Sequence, residues 1–271
     1  MEIICPAWYP GVERLVEAIP LLADQGVTAV EICIDYPRFG IRYPDYFDHR
    51  DAFELQTLIS TLHSSGVRVH SVHAPFGPNR DISSQYDEVH ERGVDGLLES
   101  IELANLLDAD RVIVHPSDTL ADNGSNRRVE RSRGVLREMA VICEESGIIL
   151  AIENLPPGYL GHTTDEIFEL MDGTDPGAVA VCFDCGHANL SGHFKEFADA
   201  LLPRAVSIHM HDNDGTHDQH RFPGEGGIDW PQFAAAYRES GTDASVMLEC
   251  APPCNLTWSE AFQRFRTALG E

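Results

Sequence analysis

Apolar and polar positions alternate in a pattern that repeats along the whole chain. Short runs rich in β-branched residues, typical of buried strands, alternate with segments whose apolar positions recur at helical spacing. We predict eight strands, at residues 2–9, 29–34, 68–75, 111–116, 148–155, 179–184, 205–211 and 245–250. Helices are predicted at residues 12–25, 52–64, 88–107, 128–146, 164–171, 230–239 and 257–269. This alternation predicts an α/β fold, a single (β/α)8 TIM barrel.

The chain shows no linker rich in proline, glycine or serine, so we expect one domain over residues 1–271. Gly26, Gly66 and Gly147 stand between a predicted helix and the next strand, where a left-handed C-cap is expected. The long irregular segments, residues 35–50, 76–85, 116–126, 156–163 and 212–228, all follow strands. Loops after the strands of a barrel lie on its catalytic face, so a substrate is expected to bind there.

Composition narrows the class of protein. No run approaches the roughly 20 apolar residues that a membrane helix needs, and no signal peptide is evident, so we expect a cytoplasmic protein without a membrane partner. The seven cysteines include no second CxxC pair, which favours buried, reduced thiols. The formal net charge of −25 disfavours a nucleic-acid partner, because the field repels phosphate.

Polar residues stand at the ends of the predicted strands from the third to the eighth. They are His73, His115, Glu153, Asp184 with His187, His209 and Glu249. Because these strand ends converge at the C-terminal face of a barrel, the side chains are expected to meet near its axis. No lysine or arginine occupies a comparable position, so the carboxylates would repel one another unless a cation neutralised them. Imidazole mixed with carboxylate suits zinc or manganese, and the sequence therefore predicts a divalent metal site.

The loop after the seventh strand contributes Asp218 and His220, two residues apart, which can face one ion from an extended segment. They can equally be ordinary solvated loop residues. The Gly224-Glu225-Gly226 sequence that follows is too short to indicate a phosphate loop by itself.

The chain resembles the xylose-isomerase-like barrels, which comprise sugar and sugar-phosphate isomerases or epimerases together with the endonuclease IV repair enzymes. The resemblance covers nearly the whole chain, and its most specific parts are Asp184-x-x-His187, His209-x-x-Asp212 and Asp218-x-His220-x-x-x-Gly224-Glu225-Gly226. It implies a core metal ion held by Glu153, Asp184, His209 and Glu249. Similarity to endonuclease IV implies two further zinc ions, one on His73 and His115 with Glu153 bridging, the other on His187, Asp218 and His220. One to three ions per chain are therefore expected.

In an isomerase or epimerase, Glu153 and Glu249 would move a proton at the carbon beside a metal-polarised carbonyl. We predict that the substrate is contacted by His187, His211, Trp8 and Glu225. Phe76 or Trp230 could also line an apolar wall against the sugar ring. The alternative for the aromatic residues is core or rim packing, and for His211 a satisfied histidine inside the barrel. Glu31 is expected either to bind a hydroxyl or to pair with Arg38 or Arg42.

Two alternatives to the isomerase remain open. The first is an endonuclease-IV-like phosphoester hydrolase: three divalent ions against four ligand carboxylates give a positive site that suits phosphate, whereas one ion against three carboxylates suits a neutral sugar. The second is a non-catalytic, metal-dependent sugar-binding protein, although a pure binder has no need for two facing bases. The expected partner is a small-molecule sugar or sugar phosphate, and the sequence is compatible with a homo-oligomer.

Overall fold

The computed structural model describes residues 1–34, 46–120 and 125–270. Eight parallel strands pair in chain order, and the last pairs with the first to close a barrel. The strands are β1 (Ile3–Pro6), β2 (Ala29–Cys33), β3 (Arg68–His73), β4 (Arg111–Val114), β5 (Ile149–Glu153), β6 (Val179–Asp184), β7 (Ala205–Met210) and β8 (Ser245–Leu248). The (β/α)8 TIM barrel predicted from the sequence is confirmed, because every strand of the barrel was expected at its place in the chain.

Helices surround the barrel in the described part of the chain. They are α1 (Leu15–Asp24), α2 (Ala52–Ser65), α3 (Asp87–Leu106), α4 (Ser125–Ser146), α5 (Thr164–Met171), α6 (Cys185–Leu190), α7 (Phe194–Leu201), α8 (Trp230–Ser240) and α9 (Trp258–Ala268). Each predicted helix is present, with ends that differ by three residues at most. None of the described helices has the length and hydropathy needed to cross a membrane.

Two helices between β6 and β7 were not predicted. The first, α6, has only six residues and begins directly after β6, where the side chain of Asp184 accepts a hydrogen bond from the backbone N–H of His187. The second, α7, buries Phe197, Ala198 and Leu201 on one face. Six residues are too few to show helical periodicity, and the site motif at the end of β6 also supplies the first turn of α6.

The core lies mainly between the strands and the helices, since the strands are buried on both faces. A small cluster of Ile113, Ala151 and Cys182 forms a separate group of buried side chains on neighbouring strands. The predicted helix ends at Gly26, Gly66 and Gly147 all have positive φ. All seven cysteines are thiols outside disulfide bonds, and six of them are buried. Most of the predicted loop at 35–50, with Arg38 and Arg42, and the end of the loop at 116–126 lie outside the described residues.

Candidate functional site

The strands bring the predicted polar residues to one end of the barrel. His73, Glu153 and Asp184 are the last residues of β3, β5 and β6, and His209 is the next-to-last residue of β7. His115 and Glu249 directly follow β4 and β8. Glu153, Asp184 and His209 are at most 1% exposed. The fold therefore places this set of ionisable side chains in the buried mouth of the barrel.

Four of these residues form a group around one point. Single ligand atoms of Glu153, Asp184, His209 and Glu249 all lie within 4.8 Å of one another. His209 Nδ1 lies 3.3 Å from Glu153 Oε2 and 3.4 Å from Glu249 Oε2, yet it makes no hydrogen bond with any described residue. A buried imidazole nitrogen that faces two carboxylates without bonding to either fits a divalent cation between them. This group can hold the core ion that the family resemblance implies.

Glu31 fixes the orientation of His209. Its Oε2 lies 3.3 Å from His209 Nε2 and accepts a hydrogen bond of 2.7 Å from the hydroxyl of Ser71. With Nε2 bonded to Glu31, the other ring nitrogen of His209 is left to face the core group. The expectation that Glu31 meets a substrate hydroxyl or an arginine was incomplete, because its partners among the described residues include a site histidine.

A second group lies next to the core group. His73 Nε2 and His115 Nε2 lie 3.3 and 3.4 Å from Oε2 of the same carboxylate, Glu153. The opposite ring nitrogens bond elsewhere, at 2.8 Å to the carbonyl of Ala74 and at 2.9 Å to Asp118. His73, His115 and Glu153 therefore share the arrangement of a histidine-rich metal site with oriented rings. Asp118, which orients His115, was not predicted from the sequence.

The charges in this part of the site favour ionised carboxylates. Burial raises the pKa of Glu153, but the charges of His209 and His115 outweigh it and hold the pKa well below its usual range. Burial likewise lowers the pKa of His115, but Glu153 and the hydrogen bond to Asp118 raise it to about 9. Histidines, and no lysine or arginine, form the ion pairs of Glu153 in the described part of the chain. The site is thus built to present anionic oxygen to cations.

The loop after β7 brings a third group together. His220 Nε2 lies 3.0 Å from Asp218 Oδ2, and His187 Nε2 lies 3.7 Å from the same oxygen. His211 was predicted to support the ligands or to contact the substrate, with a satisfied histidine inside the barrel as the alternative. Its Nδ1 is 3.7 Å from Asp218 Oδ1, and its ring stacks on that of His220 at 3.9 Å between centroids. The residues predicted for the third ion are therefore neighbours, and His211 lies beside them.

Asp212 anchors this loop. Its carboxylate accepts hydrogen bonds from the backbone of Gly224 and Ile228 and from the indole N–H of Trp230. Its backbone pairs with that of Arg221 through two bonds of 2.8 Å. The Gly-Glu-Gly sequence thus wraps around a buried carboxylate, since a Cβ on Gly226 would lie 2.3 Å from Asp212 Oδ1. Asp212 was recognised in the sequence only as a motif residue, and this structural role was not predicted.

Three predicted substrate contacts lie elsewhere or remain untested. Trp230 is buried against Phe233 and Phe265, so of its two predicted roles, apolar wall and core packing, the structure supports packing. The carboxylate of Glu225 is 44% exposed and pairs with Arg264 at 3.3 Å. Trp8 is half-buried just beyond the end of β1. A contact of Glu225 or Trp8 with substrate stays a prediction.

A cavity of about 630 Å³ opens beside the second and third groups. Its ionisable lining includes His115, Asp118, His187 and Asp218, and further polar side chains come from Ser117, Tyr159, Thr216 and His217. Phe76 lies in its wall and packs against the rings of His73 and His115, with centroids 5.2 and 4.9 Å away. Its volume is in the range that small-molecule ligands occupy.

With this geometry in place, the comparisons with known proteins decide the family. A family model described as a xylose isomerase-like TIM barrel matches residues 19–268. The chain belongs to this family. Its similarity to a crystal structure titled as a D-tagatose 3-epimerase-like protein has a TM-score of 0.83, at 26% identity over 100% of this chain and 97% of the other. An L-ribulose 3-epimerase structure aligns with a TM-score of 0.74 at 18% identity, covering 98% and 86% of the two chains, and so supports the fold alone.

The sequence relatives include uncharacterized proteins and endonucleases. "Uncharacterized protein MJ1311" of Methanocaldococcus jannaschii is 29% identical over 248 residues, which cover 88% of this chain and 79% of the relative. A "Probable endonuclease 4" of Thermoplasma volcanium is 28% identical over 191 residues, 65% of each chain. The two structural neighbours are thus titled as an epimerase-like protein and an epimerase, while the sequence relatives include endonucleases.

Proposed function

We propose that this protein is a metal-dependent sugar isomerase or epimerase. The observation that carries the proposal is the core group, in which single ligand atoms of Glu153, Asp184, His209 and Glu249 converge within 4.8 Å. His115 and His187, which both contact Glu153 at 3.4 Å, connect this group to the cavity of about 630 Å³ that they line. The four residues fit a divalent ion of the zinc or manganese kind, judged by their donor atoms and by the unbonded, buried Nδ1 of His209. A divalent ion held there supplies Lewis acidity, which polarises a substrate carbonyl.

Glu153 and Glu249 supply the proton transfer in this proposal. Their carboxylates approach the same nitrogen of His209 from β5 and from the residue after β8, at 3.3 and 3.4 Å. Two carboxylates on either side of a substrate carbon can remove a proton beside the carbonyl and return one to it. The side chain of Glu249 is 25% exposed and that of Glu153 only 2%, so Glu249 is the better placed to exchange its proton with water.

The cavity favours an uncharged sugar over a sugar phosphate. Phosphate is usually bound by arginine, lysine or a cluster of backbone N–H groups. None of the residues that line the cavity, all of them within the described ranges, is a lysine or an arginine. Hydroxyl groups of a sugar can instead bond to Asp118 and to the histidines, and Phe76 offers an apolar face to the ring.

The test is exchange of a substrate proton with solvent. The protein is loaded with manganese or zinc and incubated in D2O with a panel of ketohexoses and the corresponding phosphates, and proton spectra follow deuterium entering the carbon beside the carbonyl. We expect exchange with an uncharged ketose, and its loss in both Glu153→Gln and Glu249→Gln. The exposed helix residue Glu144 provides the matched control, since Glu144→Gln removes the same charge far from the core group. Unchanged turnover in Glu249→Gln would refute the proton-transfer mechanism. Binding of a sugar by wild type without exchange of its proton would favour a non-catalytic sugar-binding protein.

A second candidate function, hydrolysis of a phosphoester, is favoured by the group of His73, His115 and Glu153. An isomerase with a single ion has no need of a second histidine-rich group, and endonuclease relatives match about two thirds of this chain. The net charge of −25 opposes binding of DNA. Cleavage of a duplex that contains an abasic site, by protein carrying close to three zinc ions, would move the assignment to this branch. About one ion per chain and no cleavage would exclude it.

A further inference from the structure

A buried arginine lies behind the wall of the cavity, near the start of α4. Arg128 is 6% exposed, and it is the only lysine or arginine in the described ranges that is buried. Taking a charged group out of water is costly unless other polar groups replace the water. Arg128 does not line the cavity, so the partners of its charge must come from the chain itself.

The guanidinium of Arg128 joins two loops at the C-terminal face of the barrel. In the loop after β3, Nη2 lies 2.9 Å from Asp81 Oδ2, and Nε lies 3.1 Å from the hydroxyl oxygen of Ser83. In the loop after β4, Nη2 donates to the carbonyl of Thr119 at 3.0 Å, and Nη1 donates to that of Leu120 at 2.9 Å. One side chain therefore holds the two loops together.

Asp81, the acidic partner of Arg128, is fully buried and accepts hydrogen bonds on both oxygens. Oδ1 accepts from the backbone N–H of Ser83 at 2.8 Å and from its hydroxyl at 2.6 Å. Oδ2 accepts from the hydroxyl of Thr119 in addition to Arg128. The carboxylate thus bonds to both loops as well. Without Arg128 it would lose the cation with which it pairs in the described part of the chain.

Asp118 lies between two points at which α4 holds the loop after β4. Ser132, one helical turn after Arg128, donates a hydrogen bond of 2.8 Å to the carbonyl of Pro116. The same face of α4 therefore holds the backbone both before and after Asp118. The carboxylate of Asp118 lines the cavity, and its Oδ1 lies 2.9 Å from Nδ1 of His115.

We propose that Arg128 is a positioning residue, which holds the loops after β3 and β4 together and thereby keeps Asp118 in the cavity wall, bonded to His115. Phe76, from the loop after β3, packs on His115 in the same wall. A wall that is fixed before binding does not have to be ordered by the substrate, which favours affinity. This inference rests on the proposed function in one respect, namely that the cavity binds the sugar.

The first test observes the bond between His115 and Asp118. The full chain is labelled with nitrogen-15 in histidine and loaded with zinc, and proton–nitrogen spectra detect the ring proton on Nδ1 of His115, identified by its loss in Asp118→Ala. We expect the signal in wild type and its loss in Arg128→Met. The control Arg127→Met removes the exposed neighbouring arginine of α4 and should keep the signal. A folded Arg128→Met that keeps it would overturn the proposal.

A double variant covers the case in which Arg128→Met fails to fold because the charge of Asp81 is left buried alone. Asp81→Asn combined with Arg128→Met removes both charges, and the new amide can still bond to Ser83. We expect the His115 signal to be lost here too, since nothing replaces the bonds from Arg128 to the loop after β4. An ion pair that only stabilises the fold would leave the signal in place, and that outcome would refute positioning.

A measurement on the unmutated chain depends on no variant. Exchange with solvent is followed for the Nε proton of Arg128 and for the ring proton of His115 in the zinc-loaded protein. We expect the opening constants derived from the two rates to agree within about 5-fold, because both protons are released when the loops separate. A larger difference would show that the two bonds open independently, and would contradict the proposal.

Kinetics separate positioning of the wall from a general loss of structure. With the ketose that wild type exchanges in D2O, we expect Arg128→Met to raise KM at least about 10-fold and to change kcat less than about 3-fold, because the core group is not touched. An unchanged KM would contradict a role in the cavity wall. If no ketose is exchanged, the isomerase proposal fails, while the His115 signal still decides the role of Arg128.

Discussion

His70 provides a quantitative prediction about stability, because it is a buried histidine held neutral. It lies in β3, three residues before His73, and is 3% exposed. Burial and the charges of Arg111 and Arg68 lower its pKa to about 4, and Glu2 and Asp110 oppose this shift only in part. Arg68 donates a hydrogen bond of 3.2 Å to Nδ1, and Nε2 bonds to the hydroxyl of Ser245. Protonation of Nδ1 would therefore place a second cation against a guanidinium.

The direction of the pH effect on stability follows from the protonation of His70 in the folded and in the unfolded chain. In the unfolded chain His70 takes up a proton near the ordinary histidine pKa of 6.5. In the folded chain it stays neutral until the pH falls to about 4. The stability due to His70 is thus complete above pH 6.5 and is lost as the pH falls toward 4. The difference in pKa corresponds to about 3 kcal/mol in the free energy of unfolding.

The assay is urea unfolding of metal-free wild type and His70→Gln, at several values between about pH 7 and pH 4.5. Glutamine can keep a hydrogen bond toward Ser245 without titrating. We expect wild type to lose about 2–3 kcal/mol more than the variant over this range. Loss of stability in parallel, within about 0.5 kcal/mol, would show that His70 is not held neutral by its surroundings.

The remaining predictions concern the site. Gly186→Ala should destabilise the protein by about 1–3 kcal/mol, measured by urea unfolding, because the new Cβ would meet the buried ring of His211. Gly134→Ala is the control and should not destabilise the protein, because the space around its Cβ is open. Glu31→Gln should weaken binding of the core ion about 10- to 100-fold in chelator competition, since Glu31 orients His209; unchanged affinity would contradict that role. Added zinc should stabilise metal-free wild type and raise its melting temperature. At a zinc concentration 100 times the dissociation constant, the free energy of unfolding should rise by about 2.7 kcal/mol. A melting temperature that does not depend on zinc would argue against a bound ion.

Local pattern was enough to predict the barrel, since each strand is a short apolar run that needs no knowledge of its neighbours. The prediction failed where one residue has two local roles. Asp184 ends β6 and also caps α6, so a motif interpreted as the end of a strand is also the start of a helix. Trp230 had two possible roles in the sequence, because an aromatic residue beside a polar loop can be a pocket wall or part of the core. Its indole N–H donates to the buried Asp212 and its ring packs in the core.

The ligand types could be predicted because strand ends of a parallel barrel must converge, but their orientation could not. Whether a histidine offers Nδ1 or Nε2 depends on which acceptor holds the other nitrogen, and here those acceptors are backbone carbonyls of Ala74, Asn154 and Glu249 or carboxylates of distant strands. A backbone carbonyl has no residue-type signature in a sequence. The stacking of His211 on His220 likewise depends on a loop that leaves the barrel at Asp212 and returns at Arg221. The two rings are nine residues apart in the chain, but their centroids lie only 3.9 Å apart. For this reason the sequence could predict His211 as a residue near the site, but not the carboxylate that its Nε2 contacts or the ring on which it stacks.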